Sequence, residues 1–396
     1  MRILMLCGHF RPVVGGAERQ AELLARALLR QGHEVEVLTP WHDRSWPERE
    51  VAEGLPIHRF PLTDLTQQFR GVPGLGLPNL VLEKAQVSRA LRRVLPGFDL
   101  LHAHIASPIV AFALSTAHAI GVPVLCKIAC GGDSFDFKSL RATSVLGAVL
   151  ERKLVLGTDQ WVAISDEVRR NLLSAGVPEA RIASVPNGID AAALPRFRYR
   201  GPARRFLCLG RLGKFDFPTL LNAFENLLES VPDAELRVAG RGDTACIERQ
   251  LEGLPRARSR TRLVGFSPSI EQLSWADALV HPSVAEGMSN SLLEALHLGV
   301  PCAASDIPPN RELLGKAGLL APLGDPGAFA TAMRRLASED ELGRGLADAG
   351  RQLIDQRYAI DIVATRYQRI YEDILSRRDS WVRSGGGWAP GPRRSP

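Results

Sequence analysis

Two acidic side chains, Glu286 and Glu294, stand on either side of a short polar loop, with seven residues between them. Ser289 or Asn290 can cap a helix that begins here, so the loop from Gly287 to Asn290, which includes Met288, would present unpaired backbone N–H groups and the positive end of a helix dipole. Such a place suits a phosphate. A carboxylate beside a phosphate is unfavourable unless it accepts hydrogen bonds from neutral donors, and the hydroxyls of a sugar or ribose are the obvious donors. A nucleotide-sugar, which carries both phosphates and hydroxyls, fits this pattern.

A βαβ unit is predicted to position these two acids. The apolar run Ala278–His281 ends at a proline, a helical run spans roughly Asn290–Leu298, Gly299 ends it, and a second apolar run begins at Val300. The spacing alone is equally compatible with an ordinary crossover whose glutamates are solvated residues at a helix start. The distinction has to come from other parts of the chain.

A guanidinium and an ammonium follow another predicted strand. The strand Phe206–Leu209 leads into Gly210, Arg211 and Lys214. Two cations just beyond the carboxyl end of a strand could clamp the diphosphate of a leaving group. An arginine after a glycine at a strand end is as often a simple turn residue, so this feature is supportive only in combination with the first.

The first half of the chain offers weaker signals. A glycine pair, Gly15 and Gly16, lies between the predicted strand Ile3–Leu6 and a helix from about Ala17 to Arg30, and could let a ligand approach the backbone closely. It lacks the dinucleotide fingerprint and by itself is more typical of a turn. His102 and His104, in the apolar run 99–105, favour the interpretation of satisfied core histidines.

Length and composition restrict the class of protein. A chain of 396 residues favours two domains, and 45% hydrophobic with 23% charged residues is typical of a soluble globular protein. The net charge of +6 is compatible with acidic substrates or an anionic membrane face and too weak to indicate nucleic acid. Six cysteines without metal-ligand spacing predict a reducing cytoplasm and no metal site.

Three stretches bear on membranes. The N-terminal apolar run is too short for a signal peptide. The uncharged stretch Ile105–Cys126 is long enough to span a bilayer, but its prolines and Gly121 predict a helix followed by a buried strand instead. The basic segment Arg70–Arg93 could contact a membrane that carries a lipid acceptor, although a solvated helix explains it equally well.

The stretch from Glu286 to Glu294, with the downstream Leu298–Pro301 and Ala304–Ser305, resembles the E-x7-E signature of retaining glycosyltransferases of family 4, which have the GT-B fold. The resemblance implies that Glu286 lies by the donor sugar and phosphates and that Glu294 binds the ribose hydroxyls. It extends over nearly the whole chain to about residue 375 and is strongest in the second half.

Other segments are similar to the family as well. Pro12–Arg19 resembles its N-terminal loop, which shapes the acceptor side, and Val185–Asp190 resembles the turn that closes its first domain. Arg211 matches the arginine that holds the pyrophosphate, whereas Lys214 stands in a segment one residue short of the pattern. Many members carry a histidine where this chain has Ala129 and Cys130; Asp133 or His104 is the proposed substitute.

The predicted fold is therefore α/β, of the GT-B type, with two doubly wound Rossmann-like domains facing a central cleft. The expected division is an acceptor-side domain over residues 1–195, a nucleotide-sugar domain over 196–357, a terminal helix over 358–379 that crosses back to the first domain, and a disordered tail over 380–396. Both halves alternate strands and helices, as this fold requires.

The predicted activity is a retaining glycosyl transfer from a nucleoside diphosphate sugar, a UDP- or GDP-sugar, to a hydroxyl of a glycan, lipid or small molecule. No D-x-D pair occurs in the sequence, so the transfer is expected to need neither a metal nor another cofactor. The alternatives are an epimerase or phosphorylase on the same fold, or a degenerate protein that binds sugar nucleotides as a sensor or subunit. A cytoplasmic location is expected, with peripheral contact at the inner face of the membrane.

Overall fold

The computed structural model describes residues 1–13, 15–69 and 74–383. Contacts within the chain divide it into two compact units. The first unit comprises residues 1–186 together with 363–396, and the second comprises residues 187–362.

The first unit is built on an eight-stranded sheet with the order β3-β4-β2-β1-β5-β6-β7-β8, in which only the β3–β4 pair is antiparallel. Its strands are β1 Arg2–Cys7, β2 Glu34–Pro40, β3 Arg49–Ala52, β4 Leu55–Phe60, β5 Leu100–His104, β6 Val124–Lys127, β7 Gln160–Ala163 and β8 Ile182–Ser184. Its helices are α1 Gly16–Arg30, α2 Leu65–Gln68, α3 Gly76–Val94, α4 Pro108–Ile120, α5 Asp136–Thr143, α6 Gly147–Gly157 and α7 Asp166–Ser174.

The central strands of this sheet are buried throughout, as parallel strands covered by helices on both faces must be. β5, β6 and β7 contain no exposed residue, which explains why the sequence of β5 reads as a continuous apolar run around two histidines. The uncharged stretch from Ile105 resolves into α4, a left-handed cap at Gly121 and β6. The prediction of a helix followed by a buried strand is confirmed.

The second unit has a six-stranded parallel sheet with the order β11-β10-β9-β12-β13-β14. Its strands are β9 Arg205–Leu209, β10 Glu235–Ala239, β11 Thr261–Gly265, β12 Ala278–His281, β13 Cys302–Ser305 and β14 Leu319–Ala321. Its helices are α8 Phe217–Leu227, α9 Ala245–Glu252, α10 Pro255–Arg260, α11 Ser269–Trp275, α12 Asn290–Leu298, α13 Pro308–Leu314, α14 Pro326–Ser338 and α15 Asp340–Leu353.

The last helix, α16 Ile360–Arg383, follows a π-helical turn at Ile354–Tyr358, so it begins two residues later than the sequence pattern indicated. From Val363 onward it belongs to the first unit, where the Tyr371 hydroxyl hydrogen-bonds Nδ1 of His102 at 2.7 Å. Helix extends through Arg383, and the rest of the tail predicted to be disordered, residues 384–396, lies outside the described residues.

Each sheet has a point at which the strand order reverses. In the first unit it lies between β1 and β5, and in the second between β9 and β12. Ligands of doubly wound sheets bind in the crevice outside the carboxyl ends of the strands at such a switch point. The residues that follow these four strands are therefore the candidates for a functional site.

Candidate active site

The loop and helix after β12 form as the sequence predicts. α12 begins at Asn290, and the hydroxyl of Ser289 caps it by accepting a hydrogen bond from the backbone N–H of Leu292 at 3.3 Å. The helix ends at Gly299, whose φ of 75° is the left-handed conformation that a glycine adopts without strain. Gly287, Met288 and Ser289 are buried. The start of α12 therefore offers backbone N–H groups from a rigid, mostly buried loop.

Arg211 and Lys214 lie on the other side of the switch point. Arg211 is exposed directly after β9 and precedes a 3₁₀ turn over Leu212–Lys214. The chain then pairs with the segment after β12: the N–H of Val284 donates to the carbonyl of Lys214 at 3.0 Å, and the N–H of Asp216 donates to that of Pro282 at 2.8 Å. This backbone pairing brings Lys214 to the predicted site even though its segment is one residue short.

Glu286 is the centre of this cluster. Its side chain is only 13% exposed, and Oε2 lies 3.8 Å from Nζ of Lys214. Nε2 of His281, the last residue of β12, lies 3.4 Å from Oε1. Burial acts to raise the pKa of Glu286, but the imidazole of His281 and the charges of Lys214 and Arg211 outweigh it, so the pKa lies below its usual value. Glu286 is therefore an ionised carboxylate in a pocket of positive charge.

Glu294 lies one turn into α12, four residues after Asn290, and is 4% exposed. Residues four apart share one face of a helix, so Glu294 and Asn290 point to the same side. Oδ1 of Asn290 accepts a hydrogen bond of 3.4 Å from Nδ2 of Asn187. Asn187, in the turn that the sequence associates with the end of the first domain, thus supports the helix start of the second unit.

Two residues that organise this site carried no sequence signal. His281 looks like the polar end of a buried strand, and Asn310 lies in α13, far along the chain. Nδ2 of Asn310 donates to the Ser283 hydroxyl at 3.2 Å and to the Ser305 carbonyl at 3.0 Å, which joins the loops after β12 and β13. In the sequence, Asn310 is only an asparagine that follows an apolar run, and nothing around it identifies the residues to which its side chain donates.

Glycines allow two loops of the site to touch. A Cβ added at Gly240, whose φ is 149°, would lie 1.7 Å from the carbonyl oxygen of Gly210. The N–H of Leu212 donates to the carbonyl of Arg241 at 3.0 Å, so the loops after β9 and β10 are joined directly beside Arg211. Close backbone approach of this kind is available only to glycine.

The predicted residues of the first unit lie at the ends of its own strands. Gly15 is the N-cap of α1 and Gly16 its first residue. His104 ends β5, and Asp133 lies in a 3₁₀ turn after β6, with a side chain outside the described parts of the structure. Val14, beside the glycine pair, is also outside them.

The two histidines of β5 differ from the expectation of satisfied core residues. Both are buried and their rings stack 4.3 Å apart, and His102 has its hydrogen bond to Tyr371. However, Nε2 of each is buried without a hydrogen-bond partner in the described structure. The prediction of satisfied core histidines is therefore half right for His102, whose Nδ1 has a partner, and wrong for His104. A buried polar atom without a partner is unfavourable unless a ligand supplies one.

Residues 1–13, 15–69 and 74–383 contain neither a membrane-spanning helix nor a metal-binding cluster. Every helix there is too short or too polar to cross a lipid bilayer. Nowhere in those ranges do three or more His, Cys, Asp or Glu side chains gather as ligands for a metal ion.

Family models and curated proteins match most of this chain. The model of the family Glycosyltransferase Family 4 matches residues 14–193, and that of Glycosyl transferases group 1 matches residues 203–339. The phosphatidyl-myo-inositol mannosyltransferase of Mycobacterium leprae is 29% identical, over 95% of this chain and 98% of the relative. The N-acetyl-alpha-D-glucosaminyl L-malate synthase of Bacillus anthracis is 24% identical, over 92% of this chain and 95% of the relative.

Solved structures show the same fold. The structure of Anabaena HepE in complex with UDP-glucose aligns with a TM-score of 0.72 at 17% identity, covering 95% of this chain and 100% of that one. That of WaaG, a glycosyltransferase involved in lipopolysaccharide biosynthesis, aligns with a TM-score of 0.68 at 16% identity, covering 94% and 99%.

Two Rossmann-like units and the likeness to these solved structures define the GT-B fold, and the family models and relatives define a glycosyltransferase. The chain belongs to glycosyltransferase family 4: residues 14–193 match the model of that family, residues 203–339 match that of Glycosyl transferases group 1, and the mannosyltransferase relative aligns over 95% of the chain.

Proposed function

We propose that the protein transfers a sugar, with retention of anomeric configuration and without a metal ion, from a nucleoside diphosphate sugar to an acceptor hydroxyl. The observation that supports this most is the cluster of Glu286, Lys214 and His281 at the switch point of the second unit, beside Arg211 and the start of α12. A diphosphate needs positive charge, and this cluster provides it from side chains and backbone. A UDP- or GDP-sugar is the proposed donor.

Each residue has a distinct role in this proposal. Arg211 and Lys214 bind the diphosphate, and the N–H groups at the start of α12 bind it from the other side. Glu286 accepts hydrogen bonds from the sugar hydroxyls, and Glu294 accepts them from the ribose. The low pKa of Glu286 suits this work because only the ionised carboxylate accepts with both oxygens.

The base has a proposed platform of its own. The guanidinium of Arg241 lies 4.1 Å from the ring centroid of Phe266, and that ring is 62% exposed after β11. An exposed aromatic ring backed by a guanidinium suits stacking against a planar base. We propose that the base of the donor stacks over this pair. Stacking of this kind suits uracil and guanine alike.

In the proposed transfer step, the proton of the acceptor hydroxyl passes to the leaving diphosphate and not to a side chain of the protein. The acceptor oxygen forms a bond to the anomeric carbon while the bond from that carbon to the phosphate oxygen breaks. The electron pair of the broken bond goes to the diphosphate, which also takes the acceptor's proton on the same face. Arg211 and Lys214 stabilise the charge that develops on the leaving group. This route requires no histidine at Ala129, and His104 or Asp133 would serve the acceptor side.

Transfer and donor binding test the proposal together. Glu294→Ala should abolish transfer and the rise in melting temperature that the matching UDP- or GDP-sugar causes. Arg256→Ala, on exposed α10, is the matched control and should leave both unchanged. Proton NMR of the product reports the anomeric configuration, and activity after treatment with EDTA reports metal dependence. Full activity of the Glu294 variant, an inverted product or loss of activity in EDTA would each contradict the corresponding part.

A face of the first unit supports the further proposal of peripheral membrane contact. Six large apolar side chains are exposed on α3 and around α6, namely Leu77, Val81, Val145, Leu146, Val149 and Leu156. The start of α3 meets this second group, because a Cβ added at Gly76 would lie 2.3 Å from Cγ2 of Val145. We call these six residues the apolar face. Exposed apolar clusters of this size mark interaction surfaces.

The exposed charges of the two segments that carry the apolar face are of one sign. Residues 74–94 and 136–157 contain eight lysines and arginines and three acids. The three acids, Glu83, Asp136 and Glu151, are all buried, so the acidic side chains of these segments do not reach the surface. Apolar side chains among basic ones are typical of proteins that bind an anionic membrane surface in the plane of the headgroups. Such contact would place the enzyme next to a lipid acceptor.

Vesicle co-sedimentation tests the membrane contact. The protein should sediment with vesicles of phosphatidylcholine and phosphatidylglycerol, weakly with phosphatidylcholine alone, and less as salt is raised. The double variant Val81→Asp, Val149→Asp should lose this binding, whereas Val51→Asp, at a 70% exposed valine of β3, should retain it. Equal binding by the double variant would remove the apolar face as the contact surface.

A further inference from the structure

A cavity of about 420 Å³ lies at the switch point of the first unit. Residues from the ends of β1 and β5, from the loops after β2 and β4, and from α1, α3 and the start of α4 line it. Its size is within the range of small-molecule sites and sufficient for one or two sugar rings. We call it the strand-end cavity.

Two buried side chains that line this cavity carry polar atoms without a hydrogen-bond partner among the residues that the structure describes. His104 is 5% exposed, and its Nε2 has no hydrogen bond in the described structure. Glu83, on α3, is 9% exposed, and no hydrogen bond or ion pair forms at its carboxyl among the described residues. Buried polar groups are nearly always hydrogen-bonded, so two beside one cavity indicate a ligand that supplies the partners.

The wall of the strand-end cavity carries no basic side chain of the lysine or arginine type among the residues that the structure describes. Two of its titratable groups lean toward their uncharged forms: burial lowers the pKa of His104 well below the usual value, and burial together with the nearby Asp64 raises that of Glu83 to about 7. A phosphate or carboxylate placed there would lose its hydration and gain no counter-charge.

The remaining wall is mostly apolar and preorganised. Leu62, Ile105 and Ile109 present aliphatic surface, and the Ser107 side chain lies at the start of α4. Ile105 has a φ of 69°, a conformation that is strained for a β-branched residue and is found mainly at functional sites. Aliphatic walls against C–H faces with a few convergent hydrogen-bonding groups are the usual form of a site for a neutral sugar.

We propose that the strand-end cavity binds an uncharged, polyhydroxylated ring, either a sugar or a cyclic polyol, as the accepting group of the transfer. The hydroxyls of the ring hydrogen-bond Nε2 of His104 and the carboxyl of Glu83. This inference rests on the proposed function, because it names the class of acceptor whose hydroxyl receives the sugar. It excludes a group that carries its anionic charge inside the cavity.

Saturation-transfer NMR with matched pairs of compounds tests it. We expect at least one of methyl glucoside, methyl mannoside and myo-inositol to bind the full-length protein, and its phosphorylated counterpart to bind at least tenfold more weakly. His104→Phe and Glu83→Leu should each weaken the neutral ligand at least tenfold. The isosteric Glu83→Gln, which keeps a hydrogen-bonding group, should weaken it less. Glu48→Gln, at an exposed carboxylate outside the cavity, is the control.

The melting-temperature shift caused by the nucleotide-sugar is measured on the same preparations. A normal shift in every variant shows that the protein is folded and that the donor proposal stands independently. Equal or tighter binding of the phosphorylated compounds would overturn the inference, as would no binding by any neutral compound in a protein that shows the donor shift. Loss of the donor shift in the unmodified protein would instead count against the proposed function.

Discussion

The two switch points of this chain have the same topology and opposite electrostatics. In the second unit, Arg211 and Lys214 surround an ionised Glu286 beside a helix start. In the first, burial favours the uncharged forms of His104 and Glu83, and lysine and arginine are absent from the described lining. The fold provides a crevice at each place, but a few side chains decide that one suits a diphosphate and the other a neutral hydroxyl compound.

The largest effect is expected from removing the cations of the second unit. Arg211→Ala combined with Lys214→Ala should lower kcat by roughly 10²- to 10³-fold or more, since each group stabilises charge on the leaving diphosphate. Neutral compounds should still bind the first unit with unchanged affinity. Initial rates and saturation-transfer NMR on one preparation measure both. An equal loss at both switch points would mean that the two are not separable in the way we describe.

A glycine substitution should damage the second unit by a structural route. Gly240→Ala would force a Cβ to within 1.7 Å of the Gly210 carbonyl oxygen at a φ of 149°, so the loops that carry Arg211 and Arg241 must separate. We expect a loss of about 3 kcal/mol in the free energy of unfolding, together with weaker donor binding.

The matched control for this substitution is Gly253→Ala. Gly253 has a φ of −85°, and a Cβ there would make only an ordinary contact of 3.8 Å with the Gln250 carbonyl. Its unfolding free energy should change by less than about 1 kcal/mol. Denaturation by urea, followed in parallel for both variants, distinguishes strain at Gly240 from a general intolerance of alanine.

The contrast between the two sites could be predicted only in part from the sequence. Signals that are local in the chain were sufficient for the second unit: the capping serine, Gly299 and the apolar runs placed β12 and α12 within their observed bounds. Local signals are reliable because hydrogen bonds within four residues determine them. They also placed Arg211 at the end of a strand.

Contacts between distant segments could not be predicted. Lys214 reaches Glu286 because the backbone around it pairs with residues 282–284, and the one-residue gap in its segment suggested the opposite. Asn310 and His281 have no pattern around them that reveals their partners. Likewise, the strand-end cavity is assembled from seven separate elements and loops, so the sequence suggested a satisfied His104 where the structure leaves its Nε2 without a partner.

The stability of the protein in acid should depend on Glu286, at the switch point of the second unit. The pKa of Glu286 lies below 4.5, so its ionisation stabilises the fold at neutral pH, and this contribution is lost as pH falls through the folded-state value. His281→Gln should raise that pKa toward its unfolded-state value, so the variant loses part of this stability at neutral pH. Its melting temperature should therefore be lower than that of wild type at pH 7 and should fall less between pH 7 and pH 3, and an unchanged profile would show that His281 does not act on Glu286.

The smallest effect is expected at Glu83, where the sign is opposite. Its pKa is raised from 4.5 to about 7, so the folded protein binds more protons than the unfolded chain between those values, and stability from this group is lost as pH rises through that window. Glu83→Gln removes the charge and should raise the melting temperature at pH 8 by about 2 °C relative to wild type, after allowance for the partial access of this carboxyl to water.

At pH 4.5 the same variant should melt within about 1 °C of wild type, because both side chains are then uncharged. Asp64 acts on this carboxyl, and the other titratable side chains in the described lining of the cavity are Cys7, His9, Glu18, His42 and His104. Glu48→Gln, at an exposed carboxylate paired with Arg93, is the control and should show no comparable dependence. A Glu83→Gln variant that is less stable than wild type at pH 8 would mean that Glu83 is ionised and bound to a cation, and the first switch point would then resemble the second.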